Sequence, residues 1–161
     1  MTTSGGTFEA ATGDGPPLPA GDAEQRSREV RAAFEGLLQI RRLTNSQGGG
    51  PRGAPAEWER RQPVRAVALA LEAAGRAPSA VDVSGARTAT GYRVTAGERP
   101  GTAVVEWVGP PGGGAAQEEE SALGACVPVL ERLGWEALLY RGPRRRRFLE
   151  VEPIGVGPTG R

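Results

Sequence analysis

The apolar and polar positions of this chain recur with different periods in different segments, and those periods divide it into elements. From Asp22, a side chain suited to capping a helix, the run DAEQRSREVRAAFEGLLQIRRL carries Val30, Phe34, Leu37 and Leu38 at i, i+4, i+7 and i+8. That spacing puts the four on one face of an amphipathic helix over residues 22–43. A second helical run begins near Glu57, restarts or kinks at Pro63 and stops at Gly75, which predicts a helix over 63–74. TGYRVTAGERPGTAVVEWVG then has β-branched and aromatic residues on both sides of AGERPG, the signature of a hairpin with strands at 90–96 and 102–108.

Helical spacing returns over 116–133 with Leu123, Cys126, Val127, Leu130 and Leu133, and three glutamates occupy the positive end of the helix dipole. Pro128 costs up to about 3 kcal/mol in a helix interior. The residue four before it is Gly124, so a kink there meets little side-chain clash. Gly134 closes this helix, and WEALLY and RFLEVEP alternate as strands of a second hairpin around RGPRRR.

The order helix, hairpin, helix, hairpin predicts an α+β domain over residues 57–153: a small antiparallel sheet of two hairpins with one or two packed helices. Residues 1–21 hold only Phe8 and Leu18 as large apolar side chains and read as a disordered tail. Residues 44–56 read as a flexible linker rich in Gly and Pro, and 154–161 as a second tail. The first helix is then tethered, free to dock back on its own domain or to engage another chain.

Composition narrows the function. Gly and Pro together supply 39 of the 161 residues (25 and 14), in keeping with one small domain and unfolded flanks. Lysine is absent, so all 20 basic residues are arginine, and the abundance of Ala, Gly, Pro and Arg is that of a GC-rich genome. Against 19 acidic residues the formal net charge is +1, so no whole-protein field draws in nucleic acid or an anionic membrane. Histidine is absent and Cys126 is the single cysteine, which removes the usual proton-transfer residue, Cys/His zinc sites and internal disulfides. No metal, no cofactor and no catalytic residue is expected. The first residues lack a positive start and an apolar run, and no stretch approaches 18 apolar residues, so a cytoplasmic protein with no membrane partner is expected.

The sharpest local feature is LLYRGPRRRRFLEVEP, which sets Arg141, Arg144, Arg145, Arg146 and Arg147 at a hairpin tip. Guanidinium groups grip phosphate bidentately, and a projecting tip can reach DNA or RNA. The plainer reading is a charged turn that keeps the sheet from aggregating. Tyr92, Trp107, Trp135, Tyr140 and Phe148 all fall on expected strands, where they stack bases if exposed and form the core if buried. EWVGPPGGGAAQEEE has the strand, glycine loop and helix of a phosphate loop, but no Lys-Ser/Thr follows the glycines, and Glu118, Glu119 and Glu120 repel phosphate at the helix start.

EAAGRAPSAVDVSG has a faint helix-turn-helix cadence, though Val81, Val83, Ser84 and Gly85 make a poor recognition helix and Leu71 sits where a small residue is usual. Glu150 and Glu152 share a strand face as solvated charges, and Cys126 reads as a small core residue. The stripe of Val30, Phe34, Leu37 and Leu38 is the candidate partner surface. The expected function is that of a small non-enzymatic regulatory or adaptor protein with a protein partner or self-association, the alternative being nucleic-acid binding through the arginine turn.

Overall fold

Pro63 opens α3 (Pro63–Ala73), where its missing N–H falls among the unpaired donors of a first turn. From Ala66 to Leu71 every residue of this helix is buried, so it must be covered on more than one side. In the computed structural model, which describes residues 8–18, 20–45 and 53–154, that is what happens. A four-stranded sheet lies on one side of α3 and α1 (Ala23–Thr44) on the other, while the short α2 (Glu57–Arg61) leads into α3.

The sheet contains β3 (Gly91–Ala96), β4 (Ala103–Val108), β5 (Trp135–Arg141) and β6 (Arg147–Pro153), in the order β3-β4-β6-β5 with every pair antiparallel. The two expected hairpins are therefore present, and β6 inserts between β4 and β5 to join them. α4 (Ala115–Glu131) crosses from β4 to β5 over the same face that α3 covers, and it continues through Pro128. Tyr92, Val94, Ala103, Val105, Trp135, Ala137, Leu149 and Val151 from the sheet close the core with Val67, Leu71, Leu123, Cys126 and Leu130. The protein is thus α+β in three layers: sheet, then α3 with α4, then α1.

Two expectations are corrected. The disordered tail over 1–21 does not hold for residues 8–15, which run along β3: the Val94 N–H donates to the Thr12 carbonyl at 2.8 Å and the Tyr92 hydroxyl to the Ala11 carbonyl at 2.8 Å. Backbone hydrogen bonds and the Glu72 carboxylate, which accepts from the Ala11 N–H at 2.9 Å, hold this segment where apolar content alone does not. The helix-turn-helix cadence also fails, because Val81 lies in β1 (Ala80–Val81), paired with β2 (Arg87–Ala89). Asp82 turns that ribbon, its carboxylate accepting from the backbone N–H groups of Ser84 and Ala86. The linker expected over 44–56 falls largely on residues 46–52, and the tails on 1–7 and 155–161, outside the described residues.

Gly13 marks how closely the N-terminal segment approaches β3. Its φ is +98°, and a Cβ there would overlap the Tyr92 carbonyl oxygen. Gly13→Ala is expected to loosen residues 8–15 at a cost of about 1–3 kcal/mol. Faster amide exchange at Val94, with the β4–β6 ladder unchanged, checks this.

Candidate functional site

Two surfaces stand out, both at the β5–β6 hairpin. The first is a fork in the sheet. β4 and β6 pair only from Ala103↔Val151 to Val105↔Leu149, yet β4 continues to Val108 against β3 and β6 begins at Arg147 against β5. Glu119, in the first turns of α4, sits 5% exposed at the split, where its carboxylate accepts from the Arg147 backbone N–H at 3.0 Å and lies 3.6 Å from its guanidinium. The mouth of the fork is a groove of about 830 Å³ whose lining includes Trp107, the 109–114 glycine loop, Arg87, Arg93, Arg144, Arg146 and Arg147.

Of the five arginines singled out in the sequence, the structure brings Arg144, Arg146 and Arg147 to this groove. Arg141 is exposed at the end of β5 outside it, and the side chain of Arg145 lies outside the described residues. Arg87 and Arg93 were not legible as site residues, because long-range packing of β2 and β3 carries them there.

Most of this positive charge is already matched. Asp14 pairs with Arg87 and, at 3.1 Å, with Arg93, which also reaches Glu106 at 3.1 Å, while Arg147 lies 3.5 Å from Glu120. Burial pushes the Asp14 carboxyl up, but hydrogen bonds from Arg87 and Arg93 outweigh it and hold the group below its ordinary range. The Trp107 indole N–H donates to Glu118 at 3.2 Å. Among the described residues Arg144 and Arg146 make no ion pair. Arg144 is also the one described non-glycine residue with positive φ, at 61°. The three glutamates of the helix start thus hold the fork together and leave it close to neutral.

The aromatics divide between core and surface. Tyr92 and Trp135 are buried, and Trp107 packs half-buried against the same core. Tyr140 and Phe148 stack with centroids 5.7 Å apart on the opposite face of the sheet, which no helix covers. That face also carries Arg93, Glu106, Glu136, Glu150 and Glu152, so the exposed Tyr140 and half-buried Phe148 stand mostly among carboxylates and away from Arg147. Glu152 pairs with Arg99 at 2.7 Å.

The second surface is the outer edge of β5. Leu138, Leu139 and Tyr140 are 43%, 42% and 42% exposed, three consecutive large apolar side chains on a strand paired on one side only. The other end of the sheet is treated differently, since the β3 edge is covered by residues 12–15 and 77–79 of the same chain: Thr12 accepts from Val94, and the Ser79 N–H donates to the Tyr92 carbonyl. β5 contains no proline and no bulge, and its ladder to β6 is regular over seven pairs. The sequence showed the alternation of this strand but not its place at the edge, which depends on β6 reaching β4.

The α1 stripe docks on α3. Val30 and Leu37 are buried with Leu69, and Phe34 and Leu38 pack half-buried against them. Docking back is therefore the arrangement of the first helix in this structure. Cys126 is fully buried and its thiol pushed up to about 11 by that burial, which suits a packing role. Among the described residues no helix is long and apolar enough to cross a membrane. Comparisons with protein-family models, curated proteins and solved structures return no match, so function is argued from this geometry alone.

Proposed function

We propose that this is a non-enzymatic regulatory or adaptor protein, working in the cytoplasm, that receives an extended segment of a protein partner along the free edge of β5. The observation that carries the reading is the asymmetry of the sheet: one edge is covered by the chain itself, and the other exposes Leu138, Leu139 and Tyr140 on a strand whose outer side pairs with no other strand among the described residues. Such an edge is a template for strand addition, in which main-chain hydrogen bonds give affinity and alternate side chains give specificity. Docking of α1 on α3 moves the partner surface from Val30, Phe34, Leu37 and Leu38 to this strand.

Leu139→Pro tests the reading. The ladder register points the Leu139 N–H away from β6, so proline there removes an edge donor without breaking an internal bond. Full-length protein recovered from its own cells is expected as a complex in which the β5 amides exchange slowly, and the Leu139→Pro variant alone. A variant recovered in the same complex, or fast β5 exchange in the wild-type complex, would sink the idea.

Nucleic-acid binding is the second reading, favoured by Arg144 and Arg146 standing without ion pairs at the fork. Anisotropy with labelled single-stranded and duplex DNA is expected to show no salt-dependent binding. Binding that falls steeply with salt and is lost when Arg144, Arg146 and Arg147 become Ser would put this reading first.

A further inference from the structure

We infer that the groove at the fork is a binding site for a small polyanion, a molecule of metabolite size carrying two or more phosphate or carboxylate groups. The groove is built into the sheet. The β4–β6 register, Ala103↔Val151 to Val105↔Leu149, would next set Trp107 opposite Arg147. Instead the Arg147 N–H donates to the Glu119 carboxylate at 3.0 Å, and the two strands part around that buried side chain. The space so opened, about 830 Å³, is that of a small-molecule site, for which about 300–1,000 Å³ is usual.

Its lining is one-sided in charge. Among the described residues it takes Arg87 from β2, Arg93 from β3, Arg144 and Arg146 from the β5–β6 turn and Arg147 from β6, against a single carboxylate, Glu119. Asp14, Glu106 and Glu120, which match much of this charge, are not part of the lining, and neither is Glu118. They hold their partners from outside the groove and leave donors over, because a guanidinium carries five N–H groups. Arg93 gives one to Asp14 and one to Glu106, each at 3.1 Å. The Arg147 guanidinium stands 3.6 Å from Glu119 and 3.5 Å from Glu120, too far for good hydrogen bonds. Arg144 and Arg146 make no ion pair among the described residues. Guanidinium groups brought to one groove from four elements suit oxyanions, which they grip bidentately.

Arg144 adds an independent sign. Its φ of 61° and ψ of 22° are left-handed, a conformation that glycine takes without strain and arginine rarely adopts. A turn serving the fold alone is better made with glycine here, so the guanidinium stands against the preference of its own backbone. The surrounding carboxylates set the size of the ligand. Asp14, Glu106, Glu118 and Glu120 each contact a lining residue, so a long polymer of phosphates running past the groove meets them, whereas a small polyanion stays among the arginines.

Isothermal titration calorimetry of the full chain at low salt, with inorganic pyrophosphate and with citrate as probes, tests this. One ion of the preferred probe is expected to bind per chain, with an affinity that falls as salt rises. Arg144→Gly and Arg146→Ser are each expected to weaken binding by about 10-fold or more. Arg141→Ser, the same loss of charge outside the groove, is expected to change it by less than about 2-fold. Arg144→Gly relieves the left-handed strain, so its melting temperature is expected at or above that of wild type and its loss of binding is not a loss of fold.

Tighter binding of pyrophosphate assigns the site to a phosphorylated ligand, and tighter binding of citrate to a polycarboxylate. Absence of binding by both probes at millimolar concentration overturns the inference. So does binding that both groove variants retain, or a loss as large in Arg141→Ser as in Arg144→Gly. Single-stranded or duplex DNA that binds and is lost in the same two variants would overturn it in favour of nucleic acid.

Discussion

Arg41→Ala is expected to cost about 3–5 kcal/mol and to release α1 from the rest of the molecule while the sheet stays folded. Arg41 and Glu59 are both fully buried, joined by Nε to Oε2 and Nη2 to Oε1, each at 2.7 Å. Glu59 Oε2 also accepts from the Ala56 backbone N–H at 3.1 Å. Removing the cation leaves a buried carboxylate uncompensated, which is far costlier than removing both charges. Among the described residues the apolar seam that docks α1 buries Val30, Leu37 and Leu69, at roughly 1.5–3 kcal/mol each, so the loss is comparable with a large part of the docking energy. The second tie, Arg26 to Glu72 at 2.8 Å, is more exposed and contributes less. Amide exchange reads the result: residues of α1 lose protection and those of β4 and β6 keep it. Combining Arg41→Met with Glu59→Leu should restore most of the stability. Unchanged α1 protection in Arg41→Ala would show that the apolar seam holds the helix without the ion pair.

That pair shows where sequence reading stops. The stripe of α1 was legible through Val30, Phe34, Leu37 and Leu38, and Arg41 follows Leu37 by one turn on the same face, a charge at a position that packing should bury. Its partner is on α2, and nothing local in either segment joins them. The hairpins were legible because alternation and turn glycines are local signals, and the α+β class followed from their order. The seating of residues 8–15 was not, since carbonyl acceptors leave no mark in composition. Glu119 was read as one of three charges repelling phosphate, whereas it is buried at the fork holding Arg147. Sheet order, which decides that β5 and not β6 is exposed, depends on the non-local contact of Leu149 with Val105. The candidate site was therefore visible as residues and invisible as an edge.

Trp135→Ala is expected to cost about 3–5 kcal/mol in a different way, by emptying the core. Trp135 is 1% exposed, directly after Gly134, whose φ of +86° turns the chain out of α4 into β5. It belongs to the cluster that unites α3, α4 and the sheet, so no layer can give way alone to absorb the cavity. Against a total stability of about 5–15 kcal/mol the variant stands close to global unfolding. Chemical denaturation should show a lowered midpoint, with α1, α4 and the sheet losing exchange protection together, unlike the graded response of Arg41→Ala. Loss confined to β5 would instead mean that the edge strand is a separable flap. The same strand is divided by function, because Trp135 and Ala137 are buried while Leu138, Leu139 and Tyr140 face solvent.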